Sequence, residues 1–132
     1  MPAPEDRARA PFAYALLRVV PRAERGERLN VGVVLYSRRH DFLDMRTRVD
    51  EARLAALDPG LDAPAVRERL EALRRVVCGD PAGGTLAELP ASERFGWLVA
   101  PASTSIQPSE VHTGLTDDPA ATLERLFATL VG

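Results

Sequence analysis

The residues best suited to chemistry or binding in this 132-residue chain fall into two groups. Members of the first group lie in or beside predicted strands of the first half and carry guanidinium or amide side chains: Arg25, Asn30, Arg46 and Arg48. Arginine binds carboxylates and phosphates through two parallel hydrogen bonds. This group therefore predicts a surface for an anionic ligand or a protein partner.

An alternating second strand places the first group. Asparagine and glycine are poor strand formers, so the presence of Asn30 and Gly32 within this strand calls for a structural or functional explanation. Pairing with the third strand puts Gly32 near Arg46 and, in the same register, Asn30 near Arg48, and in one register Arg18 joins them from the first strand. The face then has a gap at Gly32, where a planar group, phosphate or carboxylate approaches the backbone. The alternative is an ordinary solvated face, in which the glycine makes room for a bulge or a packed helix.

The second group lies in the last third of the chain and consists of Arg94, Gln107 and His112. Hydroxyl and amide side chains are dense over residues 103–114, and such a loop would bind an anion or nucleotide, or supply His112 as a general base. These side chains also stabilise irregular loops by bonding to their own backbone, so a structural loop or a partner-docking loop is the alternative. No Gly-x-Ser-x-Gly motif accompanies them, and no acidic residue has an evident sequence relation to His112. That the two groups share one surface is a hypothesis that rests on the strand register and on the family resemblance given below.

The composition excludes several kinds of chemistry. All seventeen basic residues are arginine, so no lysine can form a Schiff base, bind phosphates in a Walker-A loop or act as a general base. Two histidines are too few for a dedicated zinc site. We therefore expect no metal and no cofactor.

Charge, cysteine content and hydropathy predict the environment. The formal net charge of −2 argues against general nucleic-acid binding. Cys78 is the single cysteine, which fits a reducing cytoplasm. No apolar stretch approaches the ~20 residues that span a bilayer, and no apolar region follows the charged N-terminal residues. We expect a cytoplasmic protein without membrane association.

Hydrophobic patterning predicts a single α+β domain over residues 12–132, preceded by a flexible N-terminal arm over residues 1–11. Strands at 12–20, 27–36 and 42–49 have short connections and form a three-stranded antiparallel meander. In the second strand, alternation puts four apolar residues on one buried face: Leu29, Val31, Val33 and Leu35.

Helices are predicted in the middle and at the end of the chain. Asp50 begins a helix that ends at Leu57, and Asp62 begins the next one, which Gly79 ends. Asp118 and Pro119 begin a closing helix. Between them, residues 94–100 form a strand by alternation, with two aromatic residues in its core: Phe95 and Trp97.

Five strings of the sequence together resemble one protein family. They are YALLRVVP at 14–21, RGERLNVGVVL at 25–35, ERFGWL at 93–98, SIQPS at 105–109 and HTGL at 112–115. The combination resembles the bacterial domain-of-unknown-function family 3037 over nearly the whole chain. The resemblance implies a small stand-alone cytoplasmic protein without an established activity. Members are often encoded beside a HipA-like kinase-fold protein, and the resemblance therefore implies that protein as a partner.

These observations favour a non-catalytic binding or accessory protein that forms a complex with another cytoplasmic protein, the HipA-like kinase being the partner that the resemblance suggests. The alternative is a small enzyme that acts on a nucleotide or phosphate-bearing substrate through His112 and the arginines. Nucleic-acid binding is a weaker reading, because the chain is slightly acidic and only 5% aromatic.

Overall fold

A five-stranded antiparallel sheet is the frame of the structure, a computed structural model that describes residues 9–101 and 105–132. Its strands are β1 (Ala10–Val19), β2 (Leu29–Ser37), β3 (Phe42–Thr47), β4 (Ile106–Pro108) and β5 (His112–Thr116). The strand β1 is central, with β2 along one edge and β3 beyond it. Both C-terminal strands share the other edge of β1, where β5 pairs with its first half and β4 with its last residues. The predicted meander of the first three strands is confirmed.

Four α-helices follow or flank the sheet in the described residues: α1 (Glu51–Leu57), α2 (Ala63–Cys78), α3 (Ala91–Leu98) and α4 (Pro119–Leu130). The side chains of Asp50, Asp62 and Asp118 accept hydrogen bonds from the first turns of α1, α2 and α4, as capping predicts. Gly79 ends α2 with φ +69°, a conformation that favours glycine. The single α+β domain predicted from the sequence is confirmed.

Helices pack on both faces of the sheet. On one face a cluster joins Val31, Val34 and Met45 of the sheet to Leu70 of α2 and Phe95 of α3. On the other face a second cluster joins further sheet residues to α4: Phe12, Leu16, Val33, Leu35, Leu123 and Val131. A three-layer arrangement results, with α4 alone on its side and the other helices opposite.

Alternation along β2 differs from the prediction at one point. Val33 and Leu35 pack toward α4, whereas Val31 packs in the opposite cluster. The prediction of one shared face is wrong because the pairing with β1 shifts by one residue between Leu17 and Arg18. A bulge adds a residue to one strand and reverses the faces of the residues beyond it. Val31, Val33 and Leu35 are nevertheless all fully buried, and Leu29 is half-buried.

The strand predicted at residues 94–100 is wrong, because this segment forms α3. Phe95 and Leu98 are the buried residues of the helix, at a spacing of three that fits one helical face. Trp97 falls between them and is 40% exposed, so it is not the core residue that alternation predicts. The strands of this region lie farther along the chain, as β4 and β5, where the sequence suggested a polar loop. Short strands of polar residues form there because β1 offers its free edge for backbone hydrogen bonds.

Two predicted segments, the N-terminal arm and the polar loop, lie partly outside the described residues. The predicted arm over residues 1–11 lies largely outside them, while Ala10 and Pro11 belong to β1. Ser103 and Thr104 of the predicted polar loop also lie outside them. Within the described ranges, no helix has both the length and the apolar character to cross a membrane.

Candidate functional site

The helix α4 covers only part of the sheet face against which it packs. It packs mainly on β2 and β3, while the β1 side of this face presents polar side chains. Arg18 projects there because its neighbours Leu17 and Val19 are buried toward the opposite helices. We call this region the Arg18 surface, and it consists of Tyr14, Arg18, Arg28, Gln107, Glu110 and His112.

Arg18 sits in a row across three strands. It lies opposite Asn30 of β2 on one side and opposite Gln107 of β4 on the other. Directly opposed residues of antiparallel strands share a face, so the row joins one member of each predicted group. The register that brings Arg18 to Asn30 is confirmed. Arg18 itself connects the two groups, through Asn30 of the first and Gln107 of the second.

The bulge in β1–β2 pairing lies immediately beside Arg18. Gly32, next to the bulge, allows β3 to approach closely, since a Cβ there would lie 3.1 Å from the Arg46 carbonyl oxygen and 3.1 Å from Thr47 Cγ2. The gap at Gly32 that the sequence suggested is therefore filled by the neighbouring strand and offers no room to a ligand. Bulges commonly re-aim a side chain next to a functional site. Here the side chain that follows the register shift is Arg18.

One atom of Arg18 lacks a partner. Among the described residues, its Nε is buried from water and forms no hydrogen bond. A buried N–H of a charged group that is bonded neither to water nor to protein destabilises the folded chain. Because the atom is buried, a ligand can accept a hydrogen bond from it, and so recover that free energy, only after the Arg18 side chain has moved.

Glu110 provides an anion within the same surface. Its carboxylate Oε1 lies 3.6 Å from His112 Nε2, and 74% of its side chain is exposed. The pKa of this carboxyl is lowered, first by a hydrogen bond from its own backbone. Interactions with His112, Arg18 and Arg28 lower the pKa of this carboxyl further.

The turn that holds Glu110 is attached firmly to β1 through Ser109. The Ser109 backbone N–H donates to the Leu16 carbonyl at 2.8 Å, and the Leu16 N–H donates to Ser109 Oγ, also at 2.8 Å. Ser109 is 5% exposed, so this pair of bonds is shielded from water. The position of Glu110 is therefore set by the fold and not by side-chain charge alone.

His112 is a surface residue in β5. It lies opposite Tyr14, and the two rings have centroids 5.2 Å apart. Its side chain is 44% exposed and has Glu110 as its acidic neighbour. Within residues 9–101 and 105–132, no three His, Cys, Asp or Glu side chains are grouped to hold a metal ion.

Three predicted site residues instead hold α4 in place. Asn30 Nδ2 donates to the Leu130 carbonyl at 3.1 Å, and Arg48 donates to the Gly132 carbonyl. Arg46 pairs with Glu124, and its guanidinium lies 5.5 Å from the centre of the Phe127 ring. Donors and positive charge at a helix C-terminus stabilise it. The polar face around Gly32 that the sequence predicts does not form, because Arg46 lies opposite Val33, which packs toward α4. The arginines instead contact α4 while their side chains stay about half exposed.

The other two arginines lie away from the Arg18 surface. Arg94 stabilises the end of α2, because its Nη1 donates to the carbonyls of Val76 at 3.1 Å and Val77 at 2.6 Å. Arg25 pairs with Glu27 at 2.6 Å, at the edge of a pocket of about 140 Å³ that reaches the end of α1. The structure therefore does not bring the seven predicted residues to one place.

A comparison with protein-family models identifies the family of the chain. The model described as a protein of unknown function, DUF3037, matches residues 14–131. The chain belongs to the DUF3037 family. No curated protein and no solved structure matches it. The DUF3037 match begins at Tyr14 and includes every residue of the Arg18 surface.

Sequence reasoning on this DUF3037 chain missed Glu110, Tyr14 and Arg28, and it named Arg18 only through a strand register. A signal for Arg18 was present, since it is the single charged residue in the apolar run of residues 12–20. A charge within a central strand is rarely buried unless it is paired or used. Glu110 had no comparable signal, because only the β4–β5 turn brings it to the arginines.

Proposed function

We propose that the chain is a non-catalytic binding protein that forms a complex with another cytoplasmic protein through the Arg18 surface. The observation that supports this most directly is the buried Nε of Arg18, which has no partner among the described residues. Folding leaves this donor unused at a cost in stability, and a partner that accepts from it gains affinity.

The shape of the surface also favours recognition. Its side chains lie on an open sheet face and are fixed from beneath by strand pairing and by the two Ser109–Leu16 bonds. A pre-organised surface loses little conformational entropy on binding. Arginine, tyrosine and histidine together offer both charge and ring contacts to a protein partner.

A binding role accounts for His112 better than catalysis does. The ring is exposed, lies tilted against the Tyr14 ring and has Glu110 at 3.6 Å, beyond the distance of a firm hydrogen bond. A general base works best when a neighbouring group orients it closely. The small phosphate-processing enzyme considered above would use this same histidine, and the experiment below separates the two functions.

The test captures partners from the native host with three forms of the chain: wild type, Arg18→Met and Arg39→Met. Met keeps an unbranched side chain at position 18 and removes the guanidinium. Arg39 is exposed in the β2–β3 turn, at the other end of the sheet, and so controls for the loss of one charge. The HipA-like kinase-fold protein suggested by the family resemblance is the first partner to titrate in purified form.

We expect the partner to bind wild type and Arg39→Met alike and to bind Arg18→Met at least about tenfold more weakly. Thermal unfolding of Arg18→Met should match wild type or exceed it, because the variant removes a buried unsatisfied donor. A complex that persists unchanged in Arg18→Met contradicts the proposed surface. Phosphoester turnover that His112→Ala abolishes, in the absence of any complex, would establish the enzyme instead.

A further inference from the structure

We propose that the ligand of the Arg18 surface is an acidic segment of the partner protein, and that Glu110 is an internal anion that competes with this segment in the free chain. The inference rests on the proposed function, since it names the chemistry of the same surface. It makes Glu110 a residue that weakens binding, although it lies inside the binding surface.

The Glu110 carboxylate lies where the carboxylate of a bound ligand is proposed to lie. The carboxylate lies 3.6 Å from His112, and its backbone follows Ser109, which is bonded to Leu16, two residues before Arg18 on β1. The charges of Arg18 and Arg28 also lower the pKa of this carboxyl. Its side chain remains largely exposed, so it can move aside without breaking buried contacts. Its backbone stays in place because Ser109 is bonded to β1.

The Glu110 carboxylate does not accept hydrogen bonds from all the donors of Arg18. Glu110 contacts His112 at 3.6 Å, and Arg18 Nε keeps no hydrogen-bond partner among the described residues. An arginine fork binds a carboxylate most strongly through two parallel N–H donors. An external carboxylate that engages Arg18 in this way, after the side chain has moved to present Nε, gains a contact that Glu110 does not make.

The surface favours an acidic peptide over nucleic acid. Two arginines, Arg18 and Arg28, supply its permanent positive charge, and Glu110 opposes them. Nucleic-acid binding relies on neutralising several phosphates at once, which a carboxylate within the site would hinder. The whole chain has a formal charge of −2 and adds no long-range attraction for a polyanion.

The test measures the affinity of an oligoglutamate peptide for wild type, Glu110→Gln and Glu68→Gln by fluorescence anisotropy. Glu68 is exposed on α2, which packs against the opposite face of the sheet, so Glu68→Gln changes the net charge equally at a distance. Arg18→Met and Arg39→Met are titrated in parallel. Inorganic phosphate and oligothymidylate are used as competing probes.

We expect Glu110→Gln to tighten oligoglutamate binding about threefold, the range of an exposed ion pair, while Glu68→Gln leaves it near wild type. Arg18→Met should weaken it at least about tenfold, and Arg39→Met should not. The Arg18 Nε–H resonance should shift on adding the peptide to wild-type protein, as direct engagement of that donor requires.

Several results would overturn the inference. Equal tightening by Glu110→Gln and Glu68→Gln would show a general charge effect. Weaker binding in Glu110→Gln would make Glu110 a contact and not a competitor. Arg18-dependent binding of oligothymidylate or phosphate, without oligoglutamate binding, would assign a different ligand.

The two proposals fail in different ways. If partner capture is lost in Arg18→Met but oligoglutamate does not bind, the proposed function holds and the acidic ligand is wrong. If partner capture survives Arg18→Met, the proposed binding surface itself is wrong, whatever the peptide does.

Discussion

At the scale of single residues, glycines set how closely the strands approach each other. Gly114 of β5 lies opposite Phe12 of β1, whose ring covers it. A Cβ at position 114 would lie 2.7 Å from two atoms of that ring. Phe12 is 8% exposed and packs with Leu123 of α4, so the ring has little freedom to move away.

Gly114→Ala should therefore lower the free energy of unfolding by about 1–3 kcal/mol, the usual effect of overpacking. Gly96→Ala, within α3, is the matched control. A Cβ at position 96 would meet no described atom from outside its own helix turn within 4 Å. Alanine there should raise stability by about 0.5–1 kcal/mol because it favours the helix. Urea unfolding of both variants measures the two changes. A stable Gly114→Ala would show that Phe12 repacks freely.

At the scale of elements, the C-terminal end of α4 binds side chains from several other parts of the fold. Asn30, Arg48 and Arg53 each donate a hydrogen bond to one backbone carbonyl at the C-terminal end of this helix. The three carbonyls belong to residues 130–132. Their side chains belong to three separate elements or connections, which converge on one helix end. The helix consequently converts a surface suited to an external anion into part of its own packing.

Asp118 anchors the other end of α4 through a hydrogen bond from the Ala121 N–H to its carboxylate, at 3.1 Å. Asp118→Ala should lower the free energy of unfolding by about 1 kcal/mol, because the first turn loses an acceptor. Asp117→Ala, at the exposed neighbouring residue, removes the same charge and should change stability by less than about 0.5 kcal/mol. Chemical denaturation of both variants separates capping from charge. Equal losses would indicate a general electrostatic effect.

At the scale of the whole molecule, both hydrophobic clusters are built on the same strands. Val33 and Leu35 face α4, while Val31 and Val34 of the same strand face the other helices. A strand that loses its packing on one face cannot remain ordered on the other. The two faces should therefore unfold in a single transition.

Leu123→Ala tests this coupling. Leu123 is 2% exposed in α4, so the substitution should cost about 3 kcal/mol. Trp97, the only tryptophan, lies on α3 on the opposite face and reports unfolding there by fluorescence. The Trp97 signal and far-ultraviolet circular dichroism should shift to the same lower midpoint. Leu115→Ala, at a leucine that is 59% exposed, should leave the midpoint near wild type. An unshifted Trp97 transition in Leu123→Ala would show that the faces unfold separately.

Local sequence determined the elements whose signals lie within a few residues. Aspartates at helix starts, Gly79 at a helix end and the alternating strands of the first half predicted the meander and three of the helices. These signals depend on backbone hydrogen bonds and side-chain spacing inside one segment. They also determined that Arg46 and Arg48 share a strand face, and that Arg18 meets Asn30 in one register.

Tertiary structure alone decided which of those polar residues remain available. The bulge beside Arg18 changes the faces of β2, and residues 94–98 belong to a helix because Phe95 and Leu98 can be buried together. The docking of α4 gives Arg46 and Arg48 partners within the fold, while the strands β4 and β5 place Gln107 opposite Arg18 and Glu110 beside His112. These outcomes depend on contacts between segments far apart in the chain, and free energy gained by packing outweighs local preference there.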